Sequence, residues 1–375
     1  MANNFTQLGI RKDLVKGLTE LSIVTPTEIQ EQAIPLLLND HVELVANAQT
    51  GTGKTAAYGL PLLQKIDTKN KVVQGLILCP TRELGQQIAK QLFKFTKYTE
   101  KVFTESVYGG ARLDEQLRAL KRPTHIIVAT PGRLLDLVKR KAIKLSQVHT
   151  VILDEADEML SMGFKKELDE ILSLCRGVEN KWLFSATMPH TLNQIINIHL
   201  APQAARIAIK GKSGVNKNVD HQFLICEVPE KLPILIQFLK TQQKNQGIAF
   251  CKTKNTAKTL VKQLKAKNVS ADTVHGDLLQ KERDKAMRDF TKNNLQVLVA
   301  TDIVARGIDI PDLAYVVHYE MASSDEYYTH RSGRTGRAGK QGVSIALVTS
   351  KEMKQVRILE KKLGVSFSQI RRMKK

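Results

Sequence analysis

Two groups of residues in this 375-residue chain carry chemistry by type and spacing. The first is Ala48-Gln49-Thr50-Gly51-Thr52-Gly53-Lys54-Thr55. Glycines at 51 and 53 let backbone N–H groups close on phosphate oxygens, Lys54 supplies a cation for the β/γ-phosphates, and Thr55 supplies a hydroxyl for Mg²⁺. The second is Asp154-Glu155-Ala156-Asp157, at the tip of the apolar run Val151-Ile152-Leu153. Asp154 suits a Mg²⁺ carboxylate, and Glu155 suits a base that orients and deprotonates water. Together they describe a bound nucleoside triphosphate with magnesium and a means of hydrolysing it. The first glycine of the usual cradle pattern is Ala48 here, which leaves the Gly-Lys-Thr core intact.

Elements must position these groups. Short apolar runs at 42–45, 75–79, 102–107, 125–129, 150–153 and 181–184 read as strands, and amphipathic stretches at 83–95, 112–120, 132–141 and 165–174 read as helices. The alternation predicts an α/β fold with a mostly parallel sheet covered by helices on both faces. It restarts at 223–226 and continues through 247–251, 271–274, 296–300, 315–318 and 343–348. The intervening segment is polar and Gly-containing. Two tandem domains are expected, 1–210 and 220–375, joined by a flexible linker at 211–219. A faint internal echo supports this. Cys79-Pro80-Thr81-Arg82, Ala129-Thr130-Pro131, Cys251-Lys252-Thr253 and Ala300-Thr301 each end a strand with Thr before the next helix. Ligands of open parallel sheets bind at such strand ends, and a Thr there also caps a helix.

The formal net charge is +20. Residues 220–375 hold 28 Lys and Arg against 16 Asp and Glu, leaving 29 against 21 for residues 1–219, so both halves are basic. That suits a polyanion lying across both, bound through its phosphate backbone. Aromatic residues make up only 5%, which argues against extensive base stacking. No apolar run reaches the ~20 residues of a membrane helix, and the N-terminus lacks the pattern of a signal peptide. Four cysteines without a C-x-x-C pair read as buried thiols in a reducing compartment. A cytoplasmic monomer is the expectation.

Other residues are ambiguous by spacing alone. Gln30 has an amide matched to adenine, yet its position reads as a surface glutamine. His330, Arg334 and Arg337 fall at i, i+4 and i+7, one face of a helical turn, and suit either a γ-phosphate or a nucleic-acid patch. Ser185-Ala186-Thr187 reads as a helix cap before Pro189, and His275 as a structural or nucleic-acid-facing turn.

Taken in order, these residues resemble the motifs of DEAD-box ATP-dependent RNA helicases of superfamily 2. The resemblance runs from Phe5 to Arg337 and rests on Pro26-Thr27 with Gln30, residues 48–55, 80–84, Gly109-Gly110, residues 130–133, Asp154–Asp157, Ser185–Thr187, Gln280 with Arg283, residues 300–309 and 330–337. It implies two RecA-like domains that close on ATP and RNA together, hydrolysing ATP on RNA binding and separating short duplexes locally without sequence preference, or remodelling RNA–protein complexes. It implies ATP contacts from Phe5, Thr25, Gln30, Thr50, Gly51, Thr52, Gly53, Lys54, Thr55 and Asp309, and Mg²⁺ held through Thr55 and Asp154. Catalysis falls to Lys54, Asp154, Glu155, Arg334 and Arg337, the two arginines reaching the γ-phosphate. RNA backbone contacts fall to Pro80, Arg82, Gly110, Thr130, Arg133 and Thr301. Ser185, Thr187, Arg306 and His330 couple the two sides. The sequence departs from the family at Ser22-Ile23, where Gly and an aromatic are usual, and at Glu320-Met321, where Asp-Pro is usual. A nucleotide-gated RNA clamp or a DNA translocase would use the same phosphate chemistry.

Overall fold

The computed structural model describes residues 4–49, 51–175, 178–209, 218–278, 280–302, 313–336 and 340–370. The chain divides into two compact units, Met1–Lys210 and Gly211–Lys375.

The first unit is a seven-stranded sheet of β1 (Glu43–Asn47), β2 (Gly75–Leu78), β3 (Thr104–Val107), β4 (Ile126–Ala129), β5 (Thr150–Asp154), β6 (Asn180–Ser185) and β7 (Ala205–Ala208). Their spatial order is β3-β4-β2-β5-β6-β1-β7, and every pairing is parallel. The central strands are buried along their whole length because helices cover both faces. Period-two alternation splits the apolar side chains between two cores. Leu44, Ala46, Ile152, Trp182 and Phe184 pack into one, and Val45, Val151, Leu153 and Leu183 into the other.

The second unit repeats this plan. Its strands are β8 (Val219–Ile225), β9 (Gly247–Cys251), β10 (Ala271–Val274), β11 (Val297–Thr301), β12 (Tyr315–His318), β13 (Gly342–Val348) and β14 (Ser368–Gln369). The order β10-β11-β9-β12-β13-β8-β14 is that of the first sheet with each strand number raised by seven, again all parallel. These are two RecA-like α/β units.

The structure differs from the sequence reading at the sheet edges. β7 buries one residue in four and β14 none, so neither has an apolar run to announce it as a strand. β8 starts at Val219, four residues before the run at 223–226 and inside the expected linker. Residues 211–217 of that linker lie outside the described residues.

Candidate active site

Gly51, Gly53, Lys54, Arg82, Gly110, Thr130, Arg133, Asp154, Glu155, Ser185 and Thr187 lie at or just after the carboxyl ends of their strands. β1 leads into the glycine-rich loop, and Ala48 N–H extends the sheet pairing by donating to Ser185 O (2.9 Å). Gly51 and Gly53 take left-handed backbone, φ +83° and +92°. At Gly53 a Cβ would stand 2.4 Å from Gln30 Nε2, so only glycine fits. Gly53 caps the helix Lys54–Lys65, whose first N–H groups have no intrahelical acceptor. Lys54 is nearly buried, with Nζ donating to Ala48 O (3.1 Å). The Thr52 hydroxyl donates to Gln49 O (2.7 Å).

Gln30 is not a surface residue: it is 3% exposed. It lies in the helix Glu28–Leu37, where Oε1 accepts from Thr27 N–H (2.9 Å) and Nε2 donates to Gly53 O (3.0 Å). The Thr27 hydroxyl donates to Thr52 O (2.7 Å). Thr27 and Gln30 therefore brace the cradle from behind. The signal was available, because Thr-x-x-Gln is the spacing of a capping box. Phe5 is buried in the first core, with no face open for stacking on a base, whereas Thr25 is exposed.

Asp154 ends β5 and Glu155 follows in left-handed backbone, φ +51°. That turn brings both carboxylates to the same edge as Lys54. Asp154 Oδ1 accepts from Glu155 N–H (3.0 Å), and Oδ2 accepts from the Tyr58 hydroxyl (2.8 Å). Burial pushes the Asp154 carboxyl up from its ordinary value; the Lys54 charge and the Tyr58 hydrogen bond pull it back. Tyr58 went unnoticed in the sequence because it sits in the apolar stretch Ala56-Ala57-Tyr58-Gly59-Leu60.

Asp157 explains Ser185 and Thr187. Its Oδ2 accepts from both Thr187 N–H (2.9 Å) and the Thr187 hydroxyl (2.7 Å), its own N–H donates to Ser185 Oγ (3.2 Å), and Ser185 Oγ donates to Thr187 O (2.7 Å). The helix-cap reading of this segment is wrong. The next helix, His190–His199, has Pro189 at its cap position and no side-chain cap. An acceptor from another element has taken the threonine.

The neighbouring strand ends gather Arg82, Gly110, Thr130 and Arg133. Arg82 follows buried Pro80 and lies over the Tyr108 ring (4.6 Å to the centroid). Gly110 has φ +83°. Gly109 N–H donates to Thr130 Oγ1 (3.4 Å), and Arg133 Nη1 donates to Gln116 Oε1 (2.8 Å) and Ala111 O (3.3 Å). Tyr108 and Gln116 thus hold the patch together, though neither stood out in the sequence.

In the second unit Thr301 ends β11, largely buried. The helix Asp325–Ser332 carries His330 but stops there, with Gly333 as its cap residue. Arg334 is therefore beyond the helix, and the expected i, i+4 alignment with His330 does not exist. Arg331, absent from the sequence reading of the site, is 2% exposed and holds this corner. It pairs with both Asp302 oxygens (2.5 and 2.8 Å), donates to Glu320 O (2.7 Å) and lies over Phe250 (5.0 Å). Behind it, His318 contacts Ser332 and Ser344 (3.2 and 3.1 Å), and His221 contacts Tyr328 (2.6 Å). His275 is buried, and the backbone of its turn is held by Arg283 Nη2 (3.2 Å). Among the described residues no cluster of three or more His, Cys, Asp or Glu is placed to hold a metal. Thr50, Arg306, Asp309 and Arg337 lie outside the described residues.

Comparison with known proteins gives the family and the fold. The DEAD/DEAH box helicase family model matches residues 27–195, and the helicase conserved C-terminal domain model matches residues 230–339. The chain is 39% identical over 357 residues to the DEAD-box ATP-dependent RNA helicase CshA of Bacillus cereus and 43% identical over 357 residues to that of Streptococcus pneumoniae. Each alignment covers 95% of this chain and 67% of the relative, so the chain spans about two thirds of their length. Among solved structures it resembles S. cerevisiae Dbp5 bound to RNA and ADP BeF3, with a TM-score of 0.88 at 30% identity, covering 98% of this chain and 96% of that one. Mss116p bound to ssRNA and AMP-PNP gives 0.87 at 26% identity, covering 98% and 78%. The chain belongs to the DEAD-box family of ATP-dependent RNA helicases.

Proposed function

We propose that ATP is bound in the cradle of the first unit by Gly51, Gly53, Lys54 and Thr55 and hydrolysed with Glu155 as the water-activating base. The observation that carries this is the convergence of the cradle and the acid pair on one sheet edge, with β6 between their strands. Lys54 turns from Ala48 O to the β/γ-phosphates, and the helix N-terminus behind it adds its partial positive charge.

Asp154 and the Thr55 hydroxyl fit magnesium: both offer hard oxygen atoms. Two protein ligands are enough for an ion that keeps several waters and binds substrate phosphates. The bound ion would neutralise charge on the phosphate oxygens. Glu155, held in left-handed backbone at the tip of β5, then orients and deprotonates the attacking water. In the second unit Arg334 is the candidate to reach the γ-phosphate when both units engage ATP and RNA.

RNA binds through its backbone to Arg82, Gly110, Thr130 and Arg133 of the first unit and Thr301 of the second. The basic charge of both halves and the scarcity of aromatic residues support phosphate contacts without base readout. Asp157, which ties the acid motif to Thr187, supports a route from nucleotide state to strand separation. The decisive experiment measures displacement of a short RNA duplex with ATP and with a non-hydrolysable analogue. Displacement only with ATP, together with an ATPase rate that rises with RNA, is the expected result. RNA held under both nucleotides without displacement would instead mark a clamp, and equal competition by matched DNA would remove the RNA preference.

A further inference from the structure

Tyr58 belongs to none of the motifs, yet it touches the centre of the site. Its ring is fully buried, 5.2 Å from that of Phe184. A phenol at that depth needs a partner for its hydroxyl. The partner is Asp154 Oδ2, at 2.8 Å, while Oδ1 is already bonded to Glu155 N–H.

The hydrogen count fixes the direction of this bond. A phenol has one hydrogen, and an ionised carboxylate has none to give, so Tyr58 donates to Asp154. Asp154, anchored through both oxygens, cannot swing without losing a bond.

We propose that Tyr58 is a positioning residue whose hydroxyl holds Asp154 Oδ2 and so presents that carboxylate to Mg²⁺. The proposal rests on the assignment of Asp154 to the metal. Phenylalanine at 58 would fill the same space and lose only the hydrogen bond to Asp154, because the ring makes the core contacts.

The test is the affinity of a fluorescent ATP analogue for the full chain, measured in Mg²⁺ and in EDTA. For Tyr58→Phe, affinity in EDTA is expected to match the unsubstituted protein, while the gain in affinity on adding Mg²⁺ falls about ten-fold, the scale of lost outer-sphere support at metal sites. The Mg²⁺ concentration at half-maximal binding should rise correspondingly. An equal loss in both arms would mark a purely structural residue and overturn the proposal; so would an unchanged magnesium gain, whatever happens to the melting temperature. Asp154→Asn, measured alongside, separates the two levels of argument. If that variant keeps the full magnesium gain, the metal assignment fails. If it loses the gain while Tyr58→Phe keeps it, only the role of Tyr58 fails.

Discussion

The two units share one topology and differ in a handful of residues at the same sheet edge. Strand register makes the comparison residue by residue. Gly75 and Gly247 begin β2 and β9 opposite Thr150 and Tyr315, which places Asp154-Glu155 of the first unit level with Tyr319-Glu320 of the second. In the first unit that pair faces the cradle. In the second the acid that remains, Glu320, accepts the Lys252 N–H (2.7 Å) and serves the backbone. After β1 comes the glycine-rich loop; after β8 comes a short turn, Val228–Glu230, closed by Glu227 N–H donating to Glu230 Oε2 (2.8 Å). An acidic side chain there leaves no anion site. What survives in both is the threonine series. Thr81 and Thr253 are equivalent and both cap helices, and Thr130 and Thr301 are equivalent by the pairing of β4 and β11 with their neighbours. The fold therefore supplies the edge, and a few side chains decide whether ATP is handled there.

The strongest way to break this contrast is to disable one residue from each unit. Arg334→Ala is expected to lower RNA-stimulated turnover by about 10³-fold or more, as for other arginines that stabilise phosphoryl transfer, with nucleotide affinity retained in a binding titration. Next comes the register pair. Glu155→Gln should cost about 10²–10⁴-fold in turnover with ATP binding intact, while Glu320→Gln should leave turnover within about two-fold because its carboxylate only serves a backbone hydrogen bond. A Glu320 variant as inactive as the Glu155 variant would mean that the second edge also takes part in the chemistry.

Stability separates the units further. Asp302→Ala strands the buried Arg331 guanidinium and should destabilise the second unit by about 3–5 kcal/mol. The single tryptophan, Trp182, is buried in the first unit, so its fluorescence transition should not move while circular dichroism shows an earlier second transition. Acid should act in the same place. Burial lowers the His221 imidazole to about 4, and its neighbour His318 is lowered too, also by burial first. Above pH 6.5 both states of His221 are neutral and its contribution is complete. As pH falls from 6.5 to 4 only the unfolded chain takes up the proton, so stability is lost, by about 3 kcal/mol in all. Urea midpoints of the second unit measured across that range check the sign. The smallest effects are the caps: Thr81→Ala and Thr253→Ala should each cost about 1 kcal/mol in their own unit.

The central strands and the glycine-rich loop with its following helix are legible because each is local. A buried strand is a continuous apolar run, and the cradle is a contiguous string of residues. What was hidden depends on partners distant in sequence. Thr187 looked like a cap until Asp157 claimed it from 30 residues away. Gln30 looked exposed because its partner, Gly53 O, lies in another element. Tyr58 looked like core because its hydroxyl meets an acid 96 residues on. The His330–Arg334 alignment failed for a local reason: helical spacing applies only while the helix continues, and Gly333 stops it.

The four cysteines give the molecule an internal reporter. Cys79 and Cys175 are buried in the first unit, Cys226 and Cys251 in the second, and none forms a disulfide. Burial holds the Cys79 and Cys251 thiols well above their ordinary range and pushes Cys175 up to about 11, so these three stay protonated and unreactive while folded. At these three positions an alkylating reagent thus meets thiolate only when the unit opens. Mass spectrometry of the modified peptides would time the opening of each unit separately, in one unlabelled, unsubstituted chain, with ATP and RNA added in turn.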